Sequence, residues 1–366
     1  MSEDRERFDE VVAHIRPGGE LVELASGVDA LYLSGRTNLG EGLLTRLADG
    51  RQAAEEAEGP EPLSFGGVEF EINPRSFGKY RYWLTHRLGQ LGVSPSQRLP
   101  ALRFQPRAEF LHGVGPARVV DWIRDLVGAE CGPVLLTVSR IDLFADWQGW
   151  ALNGDDRHRF VCMADSRTLY EDGQVFTGFA FGTRTSGSII ARIYDKTIES
   201  EKKGTDYWRE IWGAVDEGQP VLRVEFEIAR NALRQYGLNS PEEVLGAKGA
   251  LWADLTNTWL SFRSASEDNT KSRWPVSPEW EQIRRARIAE AAFGIDRTYE
   301  GRQQGNLRLL APGLVGYLSS FAALLGVESM SEAGDALARF VRWYESESGV
   351  SFESRVRDKR RNLARR

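Results

Sequence analysis

The chain has 366 residues, 41% of them apolar and eleven of them Trp, which excludes a disordered or fibrous polypeptide and supports two or three domains, or one large domain with an appendage. A formal charge of −6 excludes a globally basic nucleic-acid binder, yet the last fourteen residues carry seven Lys or Arg against two acids, so any DNA contact is local. Two cysteines, Cys131 and Cys162, four isolated histidines, no apolar run of eighteen residues and an acidic N-terminus argue against a zinc site, a disulfide scaffold, a membrane span and a signal peptide. The expectation is a cytoplasmic protein in which any metal is held by carboxylates.

In chain order, Phe8, Val11, Val12 and Ile15 predict a helical cap over residues 1–27, stopped by Pro17-Gly18-Gly19. Ala30–Gly35 predicts a short strand, Asn38–Glu58 a helix and Pro60–Pro62 a break. Strands follow at Gly66–Asn73, Lys79–Arg87 and Ala101–Phe110, then a helix over Ala117–Val127 whose buried side is Val119, Val120, Ile123 and Leu126. The order then recurs, with strands at Pro133–Trp147, Phe160–Ala164, Val175–Gly182, Ser188–Lys196 and Val221–Arg230. LRFQPRAEF from Leu102 aligns with LRVEFEIAR from Leu222 at an offset of 120 residues. This points to a diverged duplication, an α+β fold of two antiparallel-sheet halves forming a pseudo-symmetric, saddle-like platform, followed by a helical C-terminal region. The expected divisions are 1–27 (cap), 28–130 (first half), 131–240 (second half), 241–352 (helical, with helices at Glu243–Arg263, Gly313–Leu325 and Ser331–Glu347) and 353–366 (basic tail).

Period-2 alternation gives three strands of the second half a charged row each. The rows are Arg140, Asp142 and Asp146 in the strand after Pro133; Arg192, Tyr194 and Lys196 in GSIIARIYDK; and Arg223, Glu225 and Glu227 in VLRVEFEIAR. A TRTSGS turn before the tyrosine strand predicts a hairpin with Val175–Gly182. If the three strands are neighbours, a tyrosine, four carboxylates and several cations share one face, which is costly unless that face is wet or meets a ligand. Carboxylates that hold a hard divalent cation, cations that neutralise a phosphate and a phenol that attacks phosphorus are the ingredients of phosphodiester transesterification.

The motifs SRIDLFADW, GTRTSGSIIARIYDK and VLRVEFEIAR, in that order, with SRWPVSPEW later, resemble the replication initiation factor family (Rep_trans type), the rolling-circle initiators and relaxases of plasmids, filamentous phages and integrative elements. The resemblance covers roughly residues 100 to 285 and is weak in the N-terminal half. It implies an endonuclease that nicks one strand at an origin, stays on the 5′ end through a phosphotyrosine and leaves a 3′-hydroxyl for a polymerase. Carried over by position, Tyr194 is the nucleophile, Asp142 and Glu225 are the leading metal ligands for Mg2+ or Mn2+, with Asp146 and Glu227 as further candidates, and Lys196, Arg192 and Arg223 are phosphate-side cations. The implied partners are origin DNA, double- and single-stranded, a second copy of the chain in a homodimer, and a host helicase and polymerase; the first half would carry DNA binding.

Each assignment has a plainer counterpart. Asp146 would cap a turn, Glu227 would be a solvated strand residue, Arg140 would pair with a neighbouring acid, and Trp83 and Trp147 would be core residues, where the functional reading makes them platforms for unpaired bases. A conjugative relaxase uses the same chemistry. A non-catalytic sheet that only grips DNA is the alternative from another class, but binding alone needs neither Tyr194 nor a cluster of acids, since carboxylates repel phosphate unless a metal intervenes.

Overall fold

The computed structural model describes residues 21–289, apart from 174, 186–187, 206, 214 and 217, together with 315, 318–348 and 351–357. It divides into two units, Met1–Asp296 and Arg297–Arg366. Among the described residues of the first, eleven strands form one antiparallel sheet in the order β2-β3-β4-β5-β6-β1-β7-β12-β11-β10-β9. The strands are β1 (Val22–Arg36), β2 (Glu61–Phe65), β3 (Val68–Asn73), β4 (Tyr82–His86), β5 (Gly89–Val93), β6 (Leu102–Pro106), β7 (Leu135–Gln148), β9 (Arg167–Asp172), β10 (Val175–Phe181), β11 (Ile189–Asp195) and β12 (Val221–Ala229). A separate two-stranded sheet joins β8 (Phe160–Cys162) to β13 (Leu260–Phe262).

This order is symmetric about the β1–β7 pair. In each half the first strand pairs with the last (β1 with β6, β7 with β12), and the intervening strands run outward in descending order. β6 and β12, the two strands aligned at an offset of 120 residues, occupy equivalent places. The pseudo-symmetric α+β platform expected from the sequence is the architecture observed.

Alternation assigns the faces. Leu31, Leu33, Phe104, Ile141, Leu143, Val224, Phe226 and Ile228 are buried together with Leu43 and Leu47 of helix Glu41–Glu56, Val119, Ile123 and Val127 of helix Pro116–Cys131, and Leu251 and Trp252 of helix Lys248–Asp254. One side of the sheet is therefore the core, where each large apolar side chain removed from water contributes about 1.5–3 kcal/mol. The other side carries the polar members of the same strands.

Several boundaries differ from expectation. Residues 1–20 of the expected cap lie outside the described residues, and 22–27 belong to β1, a strand of fifteen residues that crosses the whole platform with three register shifts against β7. The Pro60–Pro62 break holds the start of β2, which pairs with β3. The expected strand Ala101–Phe110 ends at Pro106, and Ala108–Val114 is a helix. The helix expected over Glu243–Arg263 is three pieces: Pro241–Gly246, capped by Ser240 and Glu243 in a reciprocal box, Lys248–Asp254, and a π-helical turn over Leu255–Trp259 that feeds β13. No helix among the described residues is long and apolar enough to cross a membrane.

The second unit is helical where described, at 318–325 and Met330–Ser348, with Phe340 set edge-on to Phe321 and tilted against Trp343. Ser329 caps the longer helix by accepting from the Glu332 N–H. Of the basic tail, residues 358–366 lie outside the described residues.

Candidate active site

β7, β12 and β11 are consecutive neighbours, so the three charged rows lie side by side. Cross-strand register aligns Asp146, Arg223 and Tyr194 in one line, Phe144, Glu225 and Arg192 in the next, and Asp142, Glu227 and Ile190 in the third. The sequence motif around the tyrosine explains its place at a strand end. Tyr194 is on the last turn of the pleat, the next residue, Asp195, accepts from the N–H groups of Thr197 and Ile198 (2.9 and 3.0 Å), and Lys196 opens the helix Lys196–Lys203. The strand cannot continue because its next residue is already a helix cap. Residues 186 and 187 of the expected TRTSGS turn lie outside the described residues, but β10 and β11 do pair as a hairpin.

The Tyr194 hydroxyl donates to Glu225 Oε2 at 2.9 Å, and Arg192 Nη1 donates to Glu225 Oε1 at 2.7 Å. A phenol, a carboxylate that can take its proton and a guanidinium that orients the carboxylate form a nucleophile–base–orienter chain. Burial and the negative charge of Glu225 hold the Tyr194 pKa well above 10, so the hydroxyl is protonated and donates to the carboxylate.

Close packing fixes that strand end. Gly178 of β10 lies opposite Tyr194, and a Cβ at 178 would sit 2.4 Å from the Ile193 carbonyl oxygen and 2.7 Å from Tyr194 Cβ. Gly178→Ala, at a backbone φ of +156°, is expected to displace the tyrosine strand and lower the melting temperature, which a thermal melt checks.

The other candidates divide. Asp142 is buried, with both oxygens held by Arg140, one by Nε at 2.7 Å and one by Nη2. Arg140, whose Nη2 also lies 3.0 Å from Glu227, thus pairs with neighbouring acids, as its plainer reading had it. Burial, and the charges of Glu225 and Glu227 against a guanidinium shared with Glu227, push Asp142 up to about 7. Lys196 is buried over the Trp208 ring, donates to Glu199 at 2.6 Å, and has its pKa lowered by burial and by the charge of Arg223.

Three expectations need correction. Asp146 is fully buried and its oxygens are taken by Arg223 Nε and Nη2 (2.7 and 2.8 Å) and by the Trp212 indole N–H (2.7 Å), which leaves a metal no access. Arg223 is fully buried between Phe144 and Trp208 and also donates to Asp29 at 2.7 Å, so it cannot meet a phosphate. Glu227 takes Arg184 at 2.8 and 3.0 Å and Arg192 at 2.8 Å besides Arg140, so it is a hub for arginines. Burial would raise its pKa, but hydrogen bonds from Arg184 and Arg192 prevail and hold it at about 2. Its contribution to stability is therefore fully present above its ordinary 4.5 and lost as pH falls towards 2. Melts from pH 7 to 2 are expected to show a shallower acid decline for Glu227→Gln than for wild type, from a lower starting temperature.

Asp29, Tyr32, Arg184, Glu199 and Trp208 also line the tyrosine cleft and were missed from sequence. Asp29, Tyr32 and Arg184 belong to β1 or a loop, elements whose apposition only the fold reveals. Trp147, a candidate base platform, is core, whereas Trp83 stacks on Phe77.

The cleft encloses about 810 Å³, and eight carboxylates and six cations line it. An acid surplus opposes phosphate and favours a divalent cation. Among the described residues no three carboxylate, His or Cys side chains converge as a cage. Mg2+ is commonly held by only one or two carboxylates with substrate phosphate and water completing its shell, and the mutual repulsion that raises Asp142 beside Glu225 is what such an ion would relieve. Of the four candidate carboxylates, Asp142 and Glu225 line the cleft, and an ion there would have to take Asp142 from Arg140; Asp146 is sealed and Glu227 is held by three arginines.

No protein-family model and no curated protein matches the sequence. Among solved structures there is a likeness. The chain is similar to the rolling circle replication initiator protein from Geobacillus stearothermophilus, with a TM-score of 0.43 and 15% identity over 74% of this chain and 98% of that one.

Proposed function

We propose that the chain is a strand-nicking initiator of rolling-circle DNA replication, with Tyr194 as the nucleophile. The observation that carries this reading is the 2.9 Å hydrogen bond from the Tyr194 hydroxyl to Glu225, in a cleft where Arg192 fixes the carboxylate. The motifs around Asp142, Tyr194 and Glu225 resemble those of the initiation factor family and supply the biological role.

In this mechanism Tyr194 Oη attacks phosphorus and its proton passes to Glu225. The Oη–P bond forms as the P–O3′ bond breaks, giving a 5′-phosphotyrosine and a 3′-oxygen that takes a proton. Lys196 is the proton source: it lies 5.9 Å from the tyrosine ring, and its lowered pKa makes it a better acid than an ordinary lysine. Arg192 positions the base and lends positive charge as the phosphorane forms. A Mg2+ or Mn2+ ion held by Asp142 and Glu225 would neutralise charge on the phosphate.

The test is incubation of the protein with supercoiled DNA of its own element and Mg2+ or Mn2+. Relaxed circles carrying protein on a 5′ end, lost with chelator, are expected. Tight binding of origin DNA without cleavage would replace this reading with that of a non-catalytic DNA-binding sheet.

A further inference from the structure

A second cleft, of about 830 Å³, opens on the same face of the sheet, where the strands of the first half meet those of the second. Four cations line it, Lys79, Arg103, Arg140 and Arg184, against one carboxylate, Glu227. Its charge balance is thus the reverse of that in the tyrosine cleft.

Pseudo-symmetry explains the reversal. The line Asp146, Arg223, Tyr194 across β7, β12 and β11 has its counterpart in Ser34, Arg103, Gly92 across β1, β6 and β5. The arginine persists; its buried acid has become a serine and the nucleophile a glycine. At the next outward-facing position Glu225 corresponds to Gln105, which, with its amide turned to accept, takes Arg103 at 2.6 and 3.0 Å. Arg223 is neutralised by Asp146 and Asp29, whereas Arg103 faces a neutral partner and keeps its charge. Gly92 is also spatially required: a Cβ there would lie 2.9 Å from Tyr80 Cβ and 3.0 Å from Phe77 Cδ1, and these two aromatics fill the space that a tyrosine side chain occupies in the other half.

We propose that this cleft, a copy of the nicking site stripped of its nucleophile and acids, is a single-stranded DNA subsite that grips the strand being cut. The half-buried Tyr32 ring is its platform, flanked by the guanidiniums of Arg140 and Arg103 at 5.0 and 6.0 Å from the centroid, and Arg103 also lies 5.5 Å from the Phe77 ring. Aromatic faces beside Arg103, which meets a neutral amide where Arg140 and Arg184 meet carboxylates, suit successive bases and phosphates of an unpaired strand. Tyr32, Arg140 and Arg184 line both clefts, so a strand held in one continues into the other. The two clefts divide the work: affinity resides where acids are few, and chemistry where they are concentrated.

The inference rests on the nicking reading for the identity of the strand, and its test needs no cleavage. Binding of fluorescein-labelled oligodeoxythymidylate is measured by anisotropy on the full chain carrying Tyr194→Phe, in chelator, across a salt series. Adding Arg103→Gln and Lys79→Gln is expected to weaken binding at least about tenfold and to flatten the slope of log K against log salt by roughly 1.4, while Arg118→Gln, on helix Pro116–Cys131, changes neither. Lys79→Glu alone, at an exposed loop position, is expected to weaken binding in a chain with the parent melting temperature. Unchanged affinity and slope in these variants would overturn the proposal, as would displacement of the oligonucleotide by dTMP at equal nucleotide concentration, which would mark a mononucleotide site. A chain that binds through Arg103 and Lys79 yet never nicks retains the subsite and loses the transesterase.

Discussion

Tyr194→Phe is expected to abolish nicking and the covalent protein–DNA product while leaving the fold intact. The substitution removes one oxygen, whose hydrogen-bond partner is Glu225 at the cleft, and keeps the ring that has the Lys196 ammonium 5.9 Å from its centroid. Losing such a bond costs about 1 kcal/mol, too little to unfold a domain of this size. Activity has no comparable reserve, because without the hydroxyl there is no atom to join to phosphorus. Glu225→Gln separates the base from the nucleophile: the amide still meets the phenol but cannot take its proton, so the rate should fall about 10²- to 10⁴-fold with the 5′-linked product still forming on long incubation. The measurement is single-turnover cleavage of an end-labelled oligonucleotide, with the adduct followed on denaturing gels. Full cleavage by Tyr194→Phe would show that another group attacks; wild-type rates for Glu225→Gln would mean that the proton leaves by another route.

The sequence made the second half of the site legible because period-2 alternation is a local rule. Once β7, β11 and β12 are strands, Arg140, Asp142, Arg192, Tyr194, Glu225 and Glu227 must share a face, and the strands prove to be neighbours in the order that lines their rows up. Burial along a row was not legible. Tyr194 and Glu225 open on the cleft, whereas Arg223 and Asp146, in the same cross-strand line as Tyr194, are sealed beneath helix Tyr207–Trp212, whose Trp208 packs on Phe144 and Trp212 on Trp208. Nothing in VLRVEFEIAR states that a helix will cover its first charge, since that depends on a separate element earlier in the chain, whose Trp208 ring the fold brings to 3.9 Å from the guanidinium. The duplicated platform was legible through one pair of aligned strands. The β1 strand was underestimated because its apolar positions slip phase at each bulge, and a phase slip hides a strand from any periodicity argument.

The second large effect concerns that covered pair. Arg223→Gln leaves Asp146 fully buried with only the Trp212 indole as a donor of comparable reach, and deprives Asp29 of its guanidinium. An uncompensated buried carboxylate costs about 3–5 kcal/mol, so urea unfolding should show a loss of that order, with Asp146→Asn producing a comparable loss by stranding the arginine. Replacing both partners, as Arg223→Met with Asp146→Leu, removes the stranded charges together and should recover much of the loss, which a double-mutant cycle reads as strong coupling. The same experiment decides between two roles for Arg223. A phosphate-binding arginine would lose DNA affinity on substitution with stability near wild type; a buried keystone loses stability whether or not DNA is present. The sealed geometry demands the second outcome. It also accounts for the fate of the counterpart Arg103: with Ser34 in place of Asp146, the same strand position carries a cation that the fold has left free to meet a phosphate.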